Sequence, residues 1–504
     1  MTQENAANAF PQDELITTQH SITVGERVLN YSVTTGRMIL KAEEESPPAE
    51  DREQPAATLK PKAAIFFTAY TLEPPAGMDA ETFRRGRPVT FAFNGGPGSS
   101  SVWLHLGLLG PRRVAMTDDG NMPPPPFRLV DNEHTLLDTS DLVFIDPVTT
   151  GFSRVVPGED PAQFHDFKKD IESVGDFIQQ YTSRYHRWLS PKFLAGESYG
   201  TTRSAGLAGY LQERHGLYLN GILLISAILN FQTARFVPGN DLPYILFLPT
   251  YTATAWYHQR LEAELLTDLE ATLAEAESFA SGEYALALLR GDALSSDEKA
   301  ALARKVARYT GLTPEYVLQT NLRVDIHRFC KQLLRDQRRT VGRLDTRFTG
   351  IDRDAAGEHS EFDPSYAAIQ GPYTAALNDY IRGELGFQSD LPYEILTDRV
   401  HPWSFKEHEN QYVNVGETLR RAMSINPYLK VFVANGYFDL ATPYFATRYT
   451  FNHLELDDSL RANISMAFYP AGHMMYIHRP SLAQLKADMQ AFIQSALPAD
   501  SAAH

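Results

Sequence analysis

Cysteine is nearly absent from this chain. Its 504 residues include a single cysteine, Cys330, so no disulfide bond can form within the chain. A disulfide framework is therefore excluded, which weakly favours a reducing compartment. Cys330 lies in DIHRFCKQLL, where the apolar residues have helical spacing, and we expect its thiol to be buried.

Positive charge is also scarce. Lysine and arginine number 46 against 62 aspartates and glutamates, which gives a formal net charge of −16. This balance argues against a nucleic-acid partner and against a polybasic membrane-binding surface, because both require clustered cations. It carries no information about the fold.

Long apolar runs are missing as well. The most apolar stretch, LPYILFLPTYTATAWY at 242–257, is short and interrupted by proline, so it does not predict a membrane span and we interpret it as core or pocket wall. The N-terminus has no basic start and no apolar run, so no signal peptide is visible. We expect a cytoplasmic protein, or a secreted or periplasmic one if a signal was removed.

What the chain does contain is ample apolar material, since 43% of its residues are hydrophobic, enough for a large core. Residues 1–62 form a first segment. Within it, the alternation of apolar and polar residues over 20–42 predicts short antiparallel strands. Residues 43–62 are charged and rich in proline, which is typical of a mobile loop.

Strand and helix patterns then alternate. Short apolar runs typical of buried strands occur at 63–73, 88–96, 141–147, 191–196 and 221–228, and helical patterns occur at 160–187 and 201–216. Such alternation predicts an α/β fold, with a mostly parallel central sheet and helices on both faces.

The pattern changes at about residue 255. Charged helical segments dominate until about residue 340, and strand patterns return at 430–436 and 464–470 before a last helix. We therefore divide the rest of the chain into a first core half at 63–240, an inserted, largely helical cap at 241–425 and a second core half at 426–504.

A serine between two glycines indicates the chemistry. GESYG at 196–200 matches G-x-S-x-G, with a strand pattern before it and a helix pattern after it. That context is typical of the strand–turn–helix elbow that places a nucleophilic serine above the sheet of an α/β hydrolase. We expect Ser198 to be the nucleophile.

A serine nucleophile needs an imidazole base, and the base needs a carboxylate to orient it. Asp439 follows the strand pattern VFVANG and His473 follows MAFYP, in the order Ser, Asp, His that this layout requires. His453 and His478 are rival candidates. We favour His473 because Gly472 permits a tight loop directly after the strand.

The tetrahedral oxyanion requires two N–H donors. The residue after the nucleophile, Tyr199, supplies one in this layout. The second is expected from FAFNGGPGSSS at 91–101, where Gly95 and Gly96 allow the backbone to approach a substrate closely. No lysine follows this strip, so it is not a phosphate-binding loop.

Taken together, these segments resemble the serine carboxypeptidases of peptidase family S10. The matching segments are FNGGPGSSS, DPVTTGFSR, GESYG, NGYFDLATPYFATRY and YPAGHM, in the family's order over roughly residues 90–480. The resemblance implies an α/β-hydrolase fold with a helical insertion. It also implies a role for each of seven residues: Ser198, Asp439 and His473 as the triad, Gly96 and Tyr199 as the oxyanion hole, and Asn94 and Glu197 as the group that binds the substrate's free carboxylate.

The sequence departs from the family pattern at two positions. Ser99 stands where a cysteine is usual, and Leu108 stands where many members have a second glutamate that supports the carboxylate site. An ionised Glu197 would repel a substrate carboxylate, whereas a protonated one would donate a hydrogen bond to it. We expect the carboxyl pair of enzyme and substrate to share a proton, so that peptide KM rises with pH.

These features predict a serine carboxypeptidase that acts on peptides with a free C-terminus and requires no metal or cofactor. An esterase, amidase or acyltransferase using the same triad is one alternative, and an inactive binding scaffold is another. The oligomeric state stays open. We interpret Asp345 and Arg347, in RLDTRF, as a solvated ion pair of the cap rather than a substrate contact.

Overall fold

The computed structural model describes residues 11–45 and 57–498. Its main sheet has ten strands. In chain order they are β1 (Glu14–Val24), β2 (Arg27–Glu45), β3 (Ala57–Leu72), β4 (Val89–Phe93), β5 (Asp141–Ile145), β6 (Arg154–Val155), β7 (Lys192–Glu197), β8 (Gly221–Ile225), β9 (Lys430–Gly436) and β10 (Ile464–Tyr469).

The strand order is β1-β2-β3-β5-β4-β7-β8-β9-β10, and β6 pairs with β3 outside this path. The first three strands and the β3–β5 pair are antiparallel, whereas every pair from β5 to β10 is parallel. The prediction of a mostly parallel sheet is confirmed. Because parallel strands point the same way, the loops after β4, β7, β9 and β10 leave the sheet at one edge, where a shared site can form.

The N-terminal strands differ from the expectation. Residues 14–45 form one long hairpin rather than several short strands, with Glu14 opposite Arg37. The predicted loop at 43–62 is wrong at both ends, because Glu45 pairs with Ala57 as β2 and β3 continue toward each other. The middle of that loop lies outside the described residues. Beyond residue 37, β2 has no partner in β1, so the far end of the β2–β3 pair extends past the neighbouring strands. Charged residues in such an extension produce no apolar pattern, and the sequence therefore did not indicate these strands.

Fifteen α-helices occur in the described chain. They are α1 (Ala80–Gly86), α2 (Val102–Leu104), α3 (Phe167–Arg184), α4 (Tyr199–His215), α5 (Leu242–Tyr257), α6 (Leu269–Phe279), α7 (Ala285–Arg290), α8 (Ser296–Thr310), α9 (Pro314–Gln319), α10 (Ile326–Gln332), α11 (Pro364–Asp379), α12 (Gly416–Ile425), α13 (Tyr444–Asn452), α14 (Asp458–Arg461) and α15 (Arg479–Ser495). A π-helical turn, His105–Leu109, continues α2.

Helices cover both faces of the sheet. Alternate strand residues point to opposite faces, so Phe144 and Leu223 belong to a core with α11 and α15, whereas Val143 and Leu224 belong to a core with α3, α4 and α12. All four side chains are buried. The sheet is thus the central layer of a three-layer core.

The segment between β8 and β9 is largely helical. Its helices α5, α6, α8 and α10 build a separate apolar core that includes the buried Cys330. The stretch at 242–257 is helix α5, with Pro249 inside it, and it packs within this core. Helix α12, by contrast, packs against α4. The division at residues 241 and 425 stays a prediction. Across the described residues, no helix is long and apolar enough to cross a membrane.

Candidate active site

Ser198 lies on the sharp turn between β7 and α4. Its backbone has φ 60° and ψ −129°, a combination that non-glycine residues rarely adopt. A Cβ at Gly196 would overlap the carbonyl group of Gly200, and one at Gly200 would lie 2.9 Å from the carbonyl oxygen of Phe93. Only glycine therefore fits on either side of the serine, and the partly exposed Ser198 stands above buried neighbours.

Asp439 and His473 form a buried pair on the loops after β9 and β10. The imidazole Nδ1 of His473 lies 2.7 Å from Oδ2 of Asp439. The N–H groups of Ala441 and Thr442 donate to Oδ1 of Asp439 at 2.7 and 3.1 Å, and the Thr442 hydroxyl donates to Oδ2 at 2.7 Å. Burial alone would raise the pKa of Asp439, but His473 and these donors outweigh it and lower the pKa. Asp439 is therefore the charged partner that orients the imidazole.

Ser198 and His473 line one cavity of about 540 Å³. Because Nδ1 of His473 faces Asp439, Nε2 is the nitrogen left for the serine hydroxyl. In the described structure the two side chains make no direct hydrogen bond, and such contacts are often loose until substrate binds. Burial lowers the pKa of His473, but Asp439 and then Glu197 oppose this and raise it above its usual value.

The two residues expected to supply the N–H donors of the oxyanion hole line the same cavity. Gly96 follows β4 with φ 101°, which favours glycine, and Tyr199 is the first residue of α4. Both residues line the cavity, and within the described chain neither N–H donates to another group. The free N–H groups at a helix start also carry a partial positive charge. The oxyanion-hole assignment stays a prediction that this placement favours.

Glu197 and Asn94 line the cavity beside Ser198. Glu197 is buried, and its Oε2 accepts a hydrogen bond from the Tyr476 hydroxyl at 2.6 Å. Burial raises the pKa of Glu197 to about 7, against the lowering effects of His473, Tyr476 and Asn94. Oδ1 of Asn94 accepts from the Leu104 N–H at 3.1 Å. Within the described residues its buried Nδ2 makes no hydrogen bond of ordinary length and angle, although the Asn94 side chain is near enough to lower the pKa of Glu197. A free amide donor and a carboxyl that holds its proton near neutrality suit a carboxylate ligand.

The expectation of a solvated ion pair between Asp345 and Arg347 is wrong. They form an ion pair at 2.6 Å, but the two side chains are only 4% and 8% exposed, so the pair is not solvated. Oδ2 of Asp345 also accepts the Gly472 N–H at 3.1 Å, and the Leu344 carbonyl accepts the His473 N–H at 2.6 Å. This cap segment therefore holds the histidine loop in place from outside the core.

A second buried ion pair, also missed, supports the elbow. Arg203 on α4 donates to both carboxylate oxygens of Asp170 on α3, at 2.8 and 3.0 Å. The same guanidinium donates to the Asn94 carbonyl at 2.6 Å, and the Tyr199 hydroxyl donates to Asp170 at 3.2 Å. An arginine shortly after a GxSxG serine is the only signal the sequence offers, and it does not identify the partner.

The rival histidines lie elsewhere. Nδ1 of His453 is hydrogen-bonded to the Tyr449 carbonyl at 2.7 Å, and Nδ1 of His478 to the Ser481 hydroxyl at 2.8 Å. Neither histidine lines the cavity that contains Ser198. Of the three candidates, only His473 is paired with Asp439.

Sequence comparison identifies the family. A family model described as serine carboxypeptidase matches residues 77–474, which is most of the chain and includes all seven candidate site residues.

The chain belongs to the serine carboxypeptidase family.

Membership explains why the elbow, the FNGGPGSSS strip and the loops after β9 and β10 occur together and in this order. The resemblance inferred from the separate motifs is confirmed.

Individual relatives match shorter parts. Serine carboxypeptidase-like 45 from Arabidopsis thaliana is 27% identical over 227 residues, covering 42% of this chain and 43% of that protein. The pheromone-processing carboxypeptidase KEX1 from Saccharomyces cerevisiae is 37% identical over 121 residues, covering 22% and 15%. The alignments thus span less than half of these curated relatives.

The solved structures confirm the fold. The crystal structure of a prohormone-processing carboxypeptidase, Kex1ΔP from Saccharomyces cerevisiae, superposes with a TM-score of 0.56 at 16% identity, covering 92% of this chain and 91% of that one. At 16% identity the superposition supports a shared fold and does not by itself support a shared activity. The predicted α/β-hydrolase architecture with its helical insertion is therefore confirmed.

Proposed function

We propose that this chain is a serine carboxypeptidase that hydrolyses the last peptide bond of substrates with a free C-terminal carboxylate. One observation carries the proposal: a single cavity is lined by Ser198, by His473 with its partner Asp439 behind it, and by Glu197 and Asn94. The first group fits acyl transfer, and the second fits recognition of a carboxylate. Family membership supports both.

In the first half of the reaction, Oγ of Ser198 attacks the scissile carbonyl carbon while Nε2 of His473 takes the hydroxyl proton. The carbonyl oxygen becomes an oxyanion and accepts hydrogen bonds from the N–H groups of Gly96 and Tyr199. When the C–N bond breaks, the imidazolium gives its proton to the leaving amine. The C-terminal amino acid departs and an acyl-enzyme ester remains.

In the second half, a water molecule attacks the ester carbon and His473 takes one of its protons. The same two N–H groups stabilise the second oxyanion. Collapse breaks the ester bond, and the proton returns to Oγ of Ser198. The shortened peptide leaves as an acid, so one water is consumed for each peptide bond. Asp439 stays ionised throughout, because its hydrogen bonds stabilise the charged form.

Glu197 and Asn94 set where cleavage occurs. A neutral Glu197 donates a hydrogen bond through its carboxyl O–H, and Nδ2 of Asn94 donates one through an amide N–H, to the carboxylate at the substrate's C-terminus. This places the last peptide bond next to Ser198 and so makes the enzyme an exopeptidase. Above its pKa of about 7, Glu197 becomes an anion and repels the same ligand.

The test compares one peptide in its free-acid and C-terminally amidated forms, with products identified by mass spectrometry at pH 5.5 and 8. We expect release of the last residue from the free acid alone, and a higher KM at pH 8. Labelling by a fluorophosphonate, abolished in Ser198→Ala, assigns the nucleophile. Equal cleavage of both forms contradicts a carboxypeptidase and favours the amidase or esterase alternative. No labelling of the wild type favours a binding scaffold.

A further inference from the structure

Glu197 has an unexpected partner. The Tyr476 hydroxyl donates to Oε2 of Glu197 at 2.6 Å. Tyr476 lies in the short turn Met475–Ile477, three positions after His473. Both side chains are buried, with 2% and 3% of their surface exposed. A buried hydrogen bond is stronger than the same bond in contact with water, so it fixes the orientation of the carboxyl more firmly.

The residue at position 108 leaves Glu197 without the carboxyl partner of the family pattern. Leu108, where the family pattern has a second glutamate, is fully buried in the π-helical turn after α2. A leucine offers neither a proton nor an acceptor. The preceding residue, Gly107, leaves room for the phenol, because a Cβ there would overlap the Tyr476 ring. Gly107 therefore accommodates an aromatic partner next to the position where the family pattern supplies a carboxyl.

We propose that Tyr476 is the positioning residue for Glu197 in this enzyme: it takes the place of the second glutamate and holds the carboxyl of Glu197 for the substrate's C-terminal carboxylate. The inference deepens the carboxypeptidase assignment and rests on it.

A phenol and a second carboxyl would position the Glu197 carboxyl in different ways. Two glutamates share one proton and titrate as a coupled pair. Burial, followed by the charge of Glu197, raises the pKa of Tyr476 far above its usual value, so the phenol keeps its proton and can donate it to Glu197 in either protonation state of that carboxyl. Since Oε2 of Glu197 accepts this bond, the proton of a neutral Glu197 resides on Oε1, the oxygen left for the substrate. Glu197 then gains and loses its proton in one step.

The other titratable groups around Glu197 are few. The His473–Asp439 pair faces it from the loops after β9 and β10, with His473 lowering and Asp439 raising its pKa. Tyr373 on α11 is close enough for Glu197 to raise its pKa. Arg343 of the cap acts on His473 rather than directly on Glu197. Among these side chains, Tyr476 is the one that donates a hydrogen bond to Glu197.

Tyr373 provides a matched control. It is buried, and its hydroxyl, like the ring of Tyr476, lies against the space beside Gly107. Within the described residues, however, it donates no hydrogen bond to Glu197. The experiment measures kcat and KM from pH 5 to 8.5 for wild type, Tyr476→Phe and Tyr373→Phe. The substrates are a peptide acid and an ester with the same acyl group but no free carboxylate.

For Tyr476→Phe, we expect KM for the peptide acid at pH 5 to rise about 2- to 10-fold, the factor for one net hydrogen bond. The midpoint of the KM–pH curve should move to higher pH, because the lost bond favoured the ionised carboxyl. Values of kcat, and KM for the ester, should stay within about 2-fold. Tyr373→Phe should match wild type. In a Glu197→Gln background, Tyr476→Phe should no longer shift any midpoint.

Three results separate the possible failures. If wild type does not prefer the peptide acid to a blocked substrate, the carboxypeptidase assignment fails and the inference falls with it. If wild type does prefer the acid but the Tyr476→Phe and Tyr373→Phe profiles coincide, only the inference is overturned. A fall in kcat for both substrates, with no shift of midpoint, also overturns it, since that would mark Tyr476 as support for the nearby His473. Equal rates of fluorophosphonate labelling would establish that each variant is folded.

Discussion

Replacing Glu197 by glutamine should stabilise the fold, and by an amount that depends on pH. Glutamine keeps the shape of the side chain and an oxygen that can accept the Tyr476 hydroxyl, but it cannot ionise. The pKa of Glu197 is raised to about 7 from an ordinary value of 4.5, with burial as the largest cause. The folded protein therefore holds a proton that the unfolded chain releases more readily.

The sign follows from this direction. Stability linked to the proton is fully present below about pH 4.5, and it is lost as pH rises through about 7 because the buried carboxyl must then ionise. A tenfold difference in proton affinity between the folded and unfolded states corresponds to about 1.4 kcal/mol, so the whole loss is about 3 kcal/mol. Between pH 5 and pH 8 the wild type should lose about 2.5 kcal/mol from this group, and the glutamine variant should lose none of it.

The assay is urea unfolding at pH 5 and pH 8, with the free energy of unfolding extrapolated to water. The free energy of unfolding of the variant, relative to that of wild type, should increase by about 2 to 3 kcal/mol between pH 5 and pH 8. Glu407→Gln is the control, because Glu407 is exposed and should show no such gain. The Glu197→Gln variant should also bind peptide acids with a KM that no longer rises with pH.

Two outcomes would refute the reasoning. A stability difference between Glu197→Gln and wild type that is the same at both pH values would mean that Glu197 is not held neutral by burial. A variant that becomes less stable than wild type at pH 8 would mean that the ionised carboxylate makes a net stabilising contact. Either result would also remove the physical basis for pH-dependent recognition of a substrate carboxylate.

Three further predictions follow from the buried pairs. For an ester without a free carboxylate, kcat/KM should rise with pH through the raised pKa of His473 and then stay level, whereas peptide acids should give a bell-shaped profile. Asp345→Ala should lower kcat about 10-fold or more, because the histidine loop loses a support, and should leave Arg347 buried without its partner. Asp170→Ala should destabilise the fold by about 3 to 5 kcal/mol in urea unfolding, because Arg203 then keeps an uncompensated buried charge.

The parts of the site that the sequence predicted are those set by local patterns. The elbow is visible because its glycines, its serine and the flanking strand and helix lie within a few residues of each other. Asp439 and His473 are visible because each follows an apolar strand, and the carboxyl ends of parallel strands meet at one edge of a sheet. Local patterns and chain order were therefore sufficient to predict that Ser198 and His473 lie near each other, and both line one cavity.

The parts that it missed depend on contacts between distant segments. Tyr476 and Glu197 are 279 positions apart, and Asp345 reaches a glycine 127 positions away. Nothing in the spacing of either residue indicates its partner, and the apolar surroundings that bury RLDTRF come from other elements. The charged strand segments at 43–45 and 57–62 were missed for another reason. They extend beyond the end of β1, and a two-stranded extension that covers no core needs no apolar alternation.

The cavity concentrates features that weaken the fold. Ser198 has a positive φ, which costs about 1 to 3 kcal/mol, and Glu197 is a buried carboxyl that costs about 3 kcal/mol once ionised. The supports that hold these groups lie one contact away, in the Asp170–Arg203 pair and the Tyr476 hydroxyl. Rigid, buried partners keep strained groups in the reactive arrangement. Variants that remove the strain at Ser198 should therefore gain stability and lose activity, whereas variants of the Asp170–Arg203 pair should lose both.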